Sequence, residues 1–129
     1  MESNVPRQTQ ELQSFVEVCD ECQRTCSETA SHCLSVGGEH ADVQRVQVLL
    51  NCARVCRTSA ASSVVGSRLC SQICRACAKL CEECARFCER FAADHQMKTC
   101  AELCHACAES CRRMALEPRR RARRSLRSA

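Results

Sequence analysis

Apolar and sulfur-bearing positions recur at helical spacing in four successive stretches of this chain, separated by turn signals. The third stretch is the most regular. Cys70, Cys74, Cys77, Cys81, Cys84 and Cys88 step by 4, 3, 4, 3 and 4 residues, which places all six side chains along one stripe of one helix. The first stretch predicts a helix from about Thr9 to Val36, ended by Gly37-Gly38, whose seam reads Leu12, Phe15, Cys19, Cys22, Cys26, then Thr29 or Ala30, then Cys33. The second predicts a helix from about Glu39 to Ala61 carrying Cys52 and Cys56, with the next turn at Ser62-Ser63 through Gly66-Ser67. The third helix is expected over about Arg68 to Ala92. Asp94 is the expected N-cap of the fourth, which continues to Leu116 or Glu117 before Pro118. Its seam is Met97, Cys100, Cys104, Cys107, Cys111 and Met114.

Four amphipathic helices with short connections predict an all-α, antiparallel up-down-up-down four-helix bundle with a cysteine-lined core. The expected organisation is an N-terminal segment over 1–8, the bundle over 9–117 and a basic, disordered tail over 118–129. In that topology one end gathers Leu12, Phe15, Val16, Val64, Val65, Leu69, Met114 and Leu116 as an apolar plug. The opposite end gathers His32, His40 and His95 from three helices, with Met97, Phe87 and Phe91 nearby, as a mouth that passes a soft cation inward. On helix 2, Val43, Val46 and Leu50 lie more than a quarter-turn from the cysteine side at about 100° per residue. This outward stripe is read as an oligomer contact, with cover by residues 1–8 as the alternative.

Composition sharpens the picture. Sixteen of 129 residues are cysteine, a density that in a short secreted chain signals a disulfide scaffold. The spacing opposes that reading. Neighbours at i,i+3 or i,i+4 on a helix have Cβ atoms roughly 5–6 Å apart, whereas a disulfide needs about 3.5–4.5 Å. The segment Met1 to Gln8 has neither a basic n-region nor an apolar h-region, so the expected compartment is the reducing cytosol, where many cysteines point to metal or redox work. Val, Ile, Leu, Met and Phe total only 26, and Trp and Tyr are absent, so the thiols themselves must help fill the core. No apolar stretch approaches the length of a membrane span. The net charge of +4 is concentrated: six arginines fall in 118–129, leaving a body with 13 basic and 15 acidic residues. The tail is read as a solvated segment; nucleic-acid binding is open to it alone, since no aromatic or folded reader accompanies it. No nucleophile–base pair or phosphate loop is present, which argues against an enzyme.

Thiolates are soft ligands that select Cu(I), Zn(II) or iron–sulfur clusters. Zinc would want closed sites of four ligands each, about four in all, yet the two-knuckle zinc signature is missing. Cys-x-x-x-Cys-x-x-Cys strings such as Cys70-Cys74-Cys77 resemble the cluster motif of radical enzymes that use S-adenosylmethionine, but here they are by-products of the heptad in a chain too short for a barrel. Cu(I) fits best. It accepts two or three thiolates, a pair one turn apart can chelate it, and it tolerates thioether and imidazole. The candidate ligands are therefore all sixteen cysteines with Met97 and the histidines His32, His40, His95 and His105. A zinc or general thiolate buffer and a thiol redox protein are the alternatives.

The segment Cys100 to Ala115, Cys-Ala-Glu-Leu-Cys-His-Ala-Cys-Ala-Glu-Ser-Cys-Arg-Arg-Met-Ala, resembles the last helix of the bacterial four-helix-bundle copper storage proteins. The stretch Cys77 to Cys88 and the approach from His95 to Cys100 resemble the same family, over about residues 9–117. The resemblance implies a protein that loads its bundle core with many Cu(I) ions and assembles as a homotetramer. It implies a metal role for the sixteen cysteines and His95. Family members that are exported carry an N-terminal signal, so this chain resembles the cytosolic type.

Overall fold

A computed structural model describes residues 7–116, with side chains from Thr9 onward. Residues 1–6 of the expected N-terminal segment, Pro118 and the basic tail lie outside the described residues, while Arg7 and Gln8, expected in that segment, are helical. Four α-helices and one short 3₁₀ turn make up the order: α1 over Arg7–Val36, the 3₁₀ turn over Gly38–Ala41, α2 over Val43–Val65, α3 over Cys70–Glu89 and α4 over His95–Met114. Each helix packs on the next, and α4 closes the ring against α1, which gives the up-down-up-down bundle. Among the described residues no helix is long and apolar enough to cross a membrane.

The helix ends differ from the sequence expectation for local reasons. After α1, Gly37 and Gly38 both take positive φ, and Gly38 to Ala41 wind into a 3₁₀ turn, so His40 lies between α1 and α2 rather than on α2. Asp42 then caps α2 by accepting a hydrogen bond from the Arg45 amide at 3.2 Å. Ser62 and Ser63 were expected in a turn but are helical. Both are buried, and the Ser62 hydroxyl donates back to the Ser59 carbonyl at 3.3 Å. The stop comes at Gly66 in the left-handed region (φ 67°), where the Ser67 amide reaches the Ser62 carbonyl at 2.9 Å and the Gly66 amide reaches Ser63 at 3.3 Å. This is a Schellman closure, which favours glycine at that position. Asp94 caps α4 as expected, accepting from the amides of Gln96 at 3.0 Å and Met97 at 3.5 Å.

The core is a column of sulfur. All sixteen cysteines are buried and free. Flanking them are buried alanines, each one residue after a seam position: Ala53, Ala78, Ala85, Ala101 and Ala108 all follow a cysteine. A methyl group there lets neighbouring helices approach closely enough for thiols to touch. The α2 stripe read as outward is only partly so. Val43 is 68% exposed, but Val46 and Leu50 pack on the edge of the core, and Leu49 is fully buried.

The apolar plug is smaller than expected. Phe15 and Met114 are buried, and Leu12 and Val16 pack beside them. Val64, Val65, Leu69 and Leu116 are instead 50–77% exposed. The reason is geometric: helix α2 continues past Ser63, so its last turn carries Val64 and Val65 away from the bundle axis. A groove of about 470 Å³ opens beside this end, lined in part by Ser14, Phe15, Val18 and Met114.

Candidate metal centre

The seams of four helices converge because each repeats at 3.5 residues on average, the period that keeps one stripe facing a common axis. Sulfur atoms consequently meet across helices. Cys26 of α1 lies 3.6 Å from Cys104 and 3.9 Å from Cys100, both of α4. Cys52 of α2 lies 3.6 Å from Cys81 of α3. Cys56 is 3.7 Å from Cys77, 3.8 Å from Cys81 and 3.7 Å from Cys107. Along single helices, Cys22 and Cys26, Cys70 and Cys74, and Cys77 and Cys81 each stand 3.9 Å apart, one turn from each other.

These contacts form overlapping quartets whose sulfurs all lie within 4.8 Å of one another. One is Cys22, Cys26, Cys52 and Cys104; a second is Cys22, Cys52, Cys56 and Cys81. A third is Cys26, Cys84, Cys100 and Cys104, and a fourth is Cys56, Cys77, Cys81 and Cys107; Cys19, Cys107 and Cys111 make a triplet nearer the plug. Cys22, Cys26, Cys52, Cys56, Cys81 and Cys104 each belong to two quartets, so the groups cannot be filled independently.

Burial holds protons on the thiols at the two ends of the column. The Cys33 thiol is pushed above its ordinary range by burial, with the Arg45 guanidinium working against the shift. Cys74 is pushed up to about 12 by burial and by the negative charge that Cys70 would carry one turn away. A soft cation must displace such protons to bind.

The histidines fall into three environments. His32 and His40 converge on one carboxylate: Asp94 Oδ2 lies 2.7 Å from His32 Nε2 and 3.1 Å from His40 Nε2. The hydrogen bond from His32, opposed by burial and helped by His40, holds the Asp94 carboxyl down at about 2. The His40 ring also stacks on Phe91 at 3.9 Å between centroids. His95, at the first position of α4, is exposed. His105 is half-exposed on the outer side of the bundle, between Glu82 at 3.5 Å and Glu89 at 3.2 Å. Met97 is fully buried, its Sδ 3.6 Å from Cys33 Sγ, so it joins the sulfur column at the histidine end.

Polar side chains also line the column: Thr29, which the sequence offered on the α1 seam beside Ala30, and Ser63 and Arg45, which sequence reasoning missed. Thr29 is fully buried and accepts from Gln96 Nε2 at 2.9 Å. Ser63 Oγ touches Cys70 Sγ at 3.1 Å and Cys74 Sγ at 3.9 Å. Arg45 is buried, bonded to the Glu39 carbonyl and lying over the rings of Phe91 at 4.5 Å and Phe87 at 5.5 Å. The signal for the two on α2 was present: extending the Cys52–Cys56 step in both directions reaches Arg45, Leu49, Ser59 and Ser63.

Comparison with known proteins gives a consistent result. The copper storage protein (Csp) family profile matches residues 8–116. A crystal structure of a protein from Nitrosospira multiformis is 39% identical, with a TM-score of 0.76 over 83% of this chain and 96% of that one. Apo copper storage protein 3 from Bacillus subtilis is 30% identical, with a TM-score of 0.72 over 80% of this chain and 97% of that one. The Cu(I)-bound copper storage protein BsCsp3 is 29% identical, with a TM-score of 0.74 over 81% and 98% respectively. No curated protein sequence matches the chain.

Proposed function

The chain belongs to the copper storage protein family, and from that premise we propose that its bundle core holds many Cu(I) ions on the sixteen cysteine thiolates. The observation that carries the reading is the sharing of sulfurs between quartets. Zinc takes four ligands of its own per ion in a closed tetrahedral site. Quartets with common members cannot all be closed that way, whereas Cu(I), needing two or three sulfurs, fills a continuous column through bridging thiolates. Storage, rather than catalysis, is the role that family membership supports.

The ligand set is the sixteen cysteines, with Met97 contributing a thioether beside Cys33. Ions pass at the end where His32 and His40 meet Asp94, with exposed His95 on the same turn as a first, weak contact. Imidazole holds the ion briefly and the thiolates beyond hold it more tightly. His105, flanked by two glutamates on the outer side, is the candidate with the least support as a ligand. Residues 9–117 form the storage domain; the tail 118–129 contains no Cys, His or Met. Sixteen free thiols suit a reducing compartment such as the cytosol. The partly exposed stripe Val43, Val46 and Leu50 supports assembly with further copies of the chain, a homotetramer in line with the resemblance.

Anaerobic Cu(I) titration with metal counting tests the reading. Capacity is expected on the order of one ion per cysteine, about 16 with a margin of several. Saturation near four metals per chain with tetrahedral thiolate spectra would overturn it in favour of zinc.

A further inference from the structure

Two buried side-chain atoms lack a hydrogen-bond partner among the described residues: Arg45 Nε and Ser59 Oγ. Both belong to one stripe of one helix. The α2 seam runs Arg45, Leu49, Cys52, Cys56, Ser59, Ser63, and all six residues are buried. Where α3 sets six thiols on its seam, α2 sets two, with a guanidinium beyond them at one end and two hydroxyls at the other. A buried donor without a partner costs free energy, and native structures rarely keep one without a reason. Leucine at 45 or alanine at 59 would remove that cost and keep the core filled.

We infer that the α2 seam supplies hydrogen bonds and positive charge to the copper–thiolate core as it loads, an inference that rests on the storage function proposed above. A thiol sulfur accepts hydrogen bonds weakly, whereas an ionised acceptor takes them strongly. As Cu(I) arrives, S–H bonds break, their protons leave to solvent and S–Cu bonds form. A Cu(I) ion held between two thiolates carries a net charge of −1 until further ions share those sulfurs, so the core is anionic while it fills, and a buried charge requires partners. The α2 donors are placed to provide them. Ser63 already touches Cys70 and Cys74. Ser59 lies one turn earlier on the same stripe, between Ser63 and Cys56, and Cys56 Sγ contacts Cys77, Cys81 and Cys107. Arg45 closes the opposite end. Its charge is answered among the described residues by the Glu39 backbone carbonyl and two aromatic rings rather than by a carboxylate, so it remains available to an anionic cluster. The donors left idle in the empty bundle, Arg45 Nε and Ser59 Oγ, are therefore those that the filling bundle uses.

The test compares the parent with Ser59→Ala, Arg45→Met and Arg45→Lys in anaerobic competition for Cu(I) against a chromophoric chelator, beside thermal melts of each apo protein. Apo Ser59→Ala is expected to melt at or above the parent, because an orphan hydroxyl has gone. Its copper is expected to leave more readily, by roughly ten- to a hundredfold in affinity for the ions nearest the lost donor. Arg45→Met should behave alike toward copper, and Arg45→Lys should recover part of the loss by restoring the charge. Parental copper retention in both Ser59→Ala and Arg45→Met overturns the inference. So does a lower apo melting point for Ser59→Ala with copper retention unchanged, which marks the hydroxyl as structural. A parent that takes up no Cu(I) overturns the storage reading itself, and the parent titration distinguishes that failure from the others.

Discussion

Asp94 does two jobs with one side chain. Its Oδ1 caps α4 through the amides of Gln96 and Met97, and its Oδ2 receives His32 and His40 from the other side of the bundle end. The carboxyl is consequently held at about 2, below its ordinary 3.8. A depressed carboxyl adds stability that is present above pH 3.8 and is lost as the pH falls through about 2. Acid titration of the apo protein followed by circular dichroism should therefore show a loss of stability between those values. Asp94→Asn, which retains a capping side chain, should flatten that part of the curve. Asp94→Ala should also remove the cap, at a cost of about 1 kcal/mol at neutral pH. An acid limb in Asp94→Asn as steep as the parent's would remove Asp94 as its source.

At the scale of the element, α2 stands apart from its neighbours. Helix α3 has an unbroken thiol seam, and α4 has four thiols between two methionines, so each has one buried face and one polar face. Helix α2 has apolar residues on its flanks as well: Val46, Val48, Leu50 and Val55 are half-buried, and Val43 is exposed. A helix apolar beyond its core stripe has a second surface to cover. Replacing Val46 and Leu50 with Glu should convert an assembled parent to monomers in size-exclusion chromatography with light scattering. The helix should persist, because the seam from Leu49 to Ser63 is untouched. A parent already monomeric at micromolar concentration would remove the assembly reading and leave residues 1–8 as the alternative cover for the stripe.

For the whole molecule, the core is held together by groups that change charge on doing their work. The Cys74 thiol, ordinarily near 9, rises to about 12 in the fold because it is buried beside Cys70. A raised thiol contributes stability that is present below pH 9 and is lost as the pH climbs through 12. Apo protein should therefore lose melting temperature progressively above pH 9. The Cu(I)-loaded protein should show a much flatter alkaline limb, since a bound thiolate has no proton left to lose, and its melting temperature should rise with copper by mass action. Parallel alkaline limbs for the apo and loaded proteins would show that the thiols do not control the loss.

Periodicity alone determined the class of fold, the four helices and the burial of every cysteine, because a stripe repeating each 3.5 residues can face only one way. The Cys100 to Ala115 segment carried the family resemblance that the matching profile bears out. Helix ends were read less well, because they depend on local hydrogen bonds: Gly66, not Ser62, ends α2, since its left-handed backbone closes the last carbonyls. Only the tertiary structure decided which thiols meet. The quartets join Cys22 and Cys26 to Cys104, and Cys56 to Cys81 and Cys107, through the relative height of four helices, and a seam on one helix carries no information about the height of another. The same holds at the histidine end. The sequence placed His32 and His40 at one end, but only the fold sets both on the carboxylate of Asp94, 62 and 54 residues away, while His95, next to Asp94 in the chain, is exposed. The orphaned donors on α2 also appear only in the fold, because a hydrogen bond left unmade is a property of three-dimensional surroundings rather than of spacing.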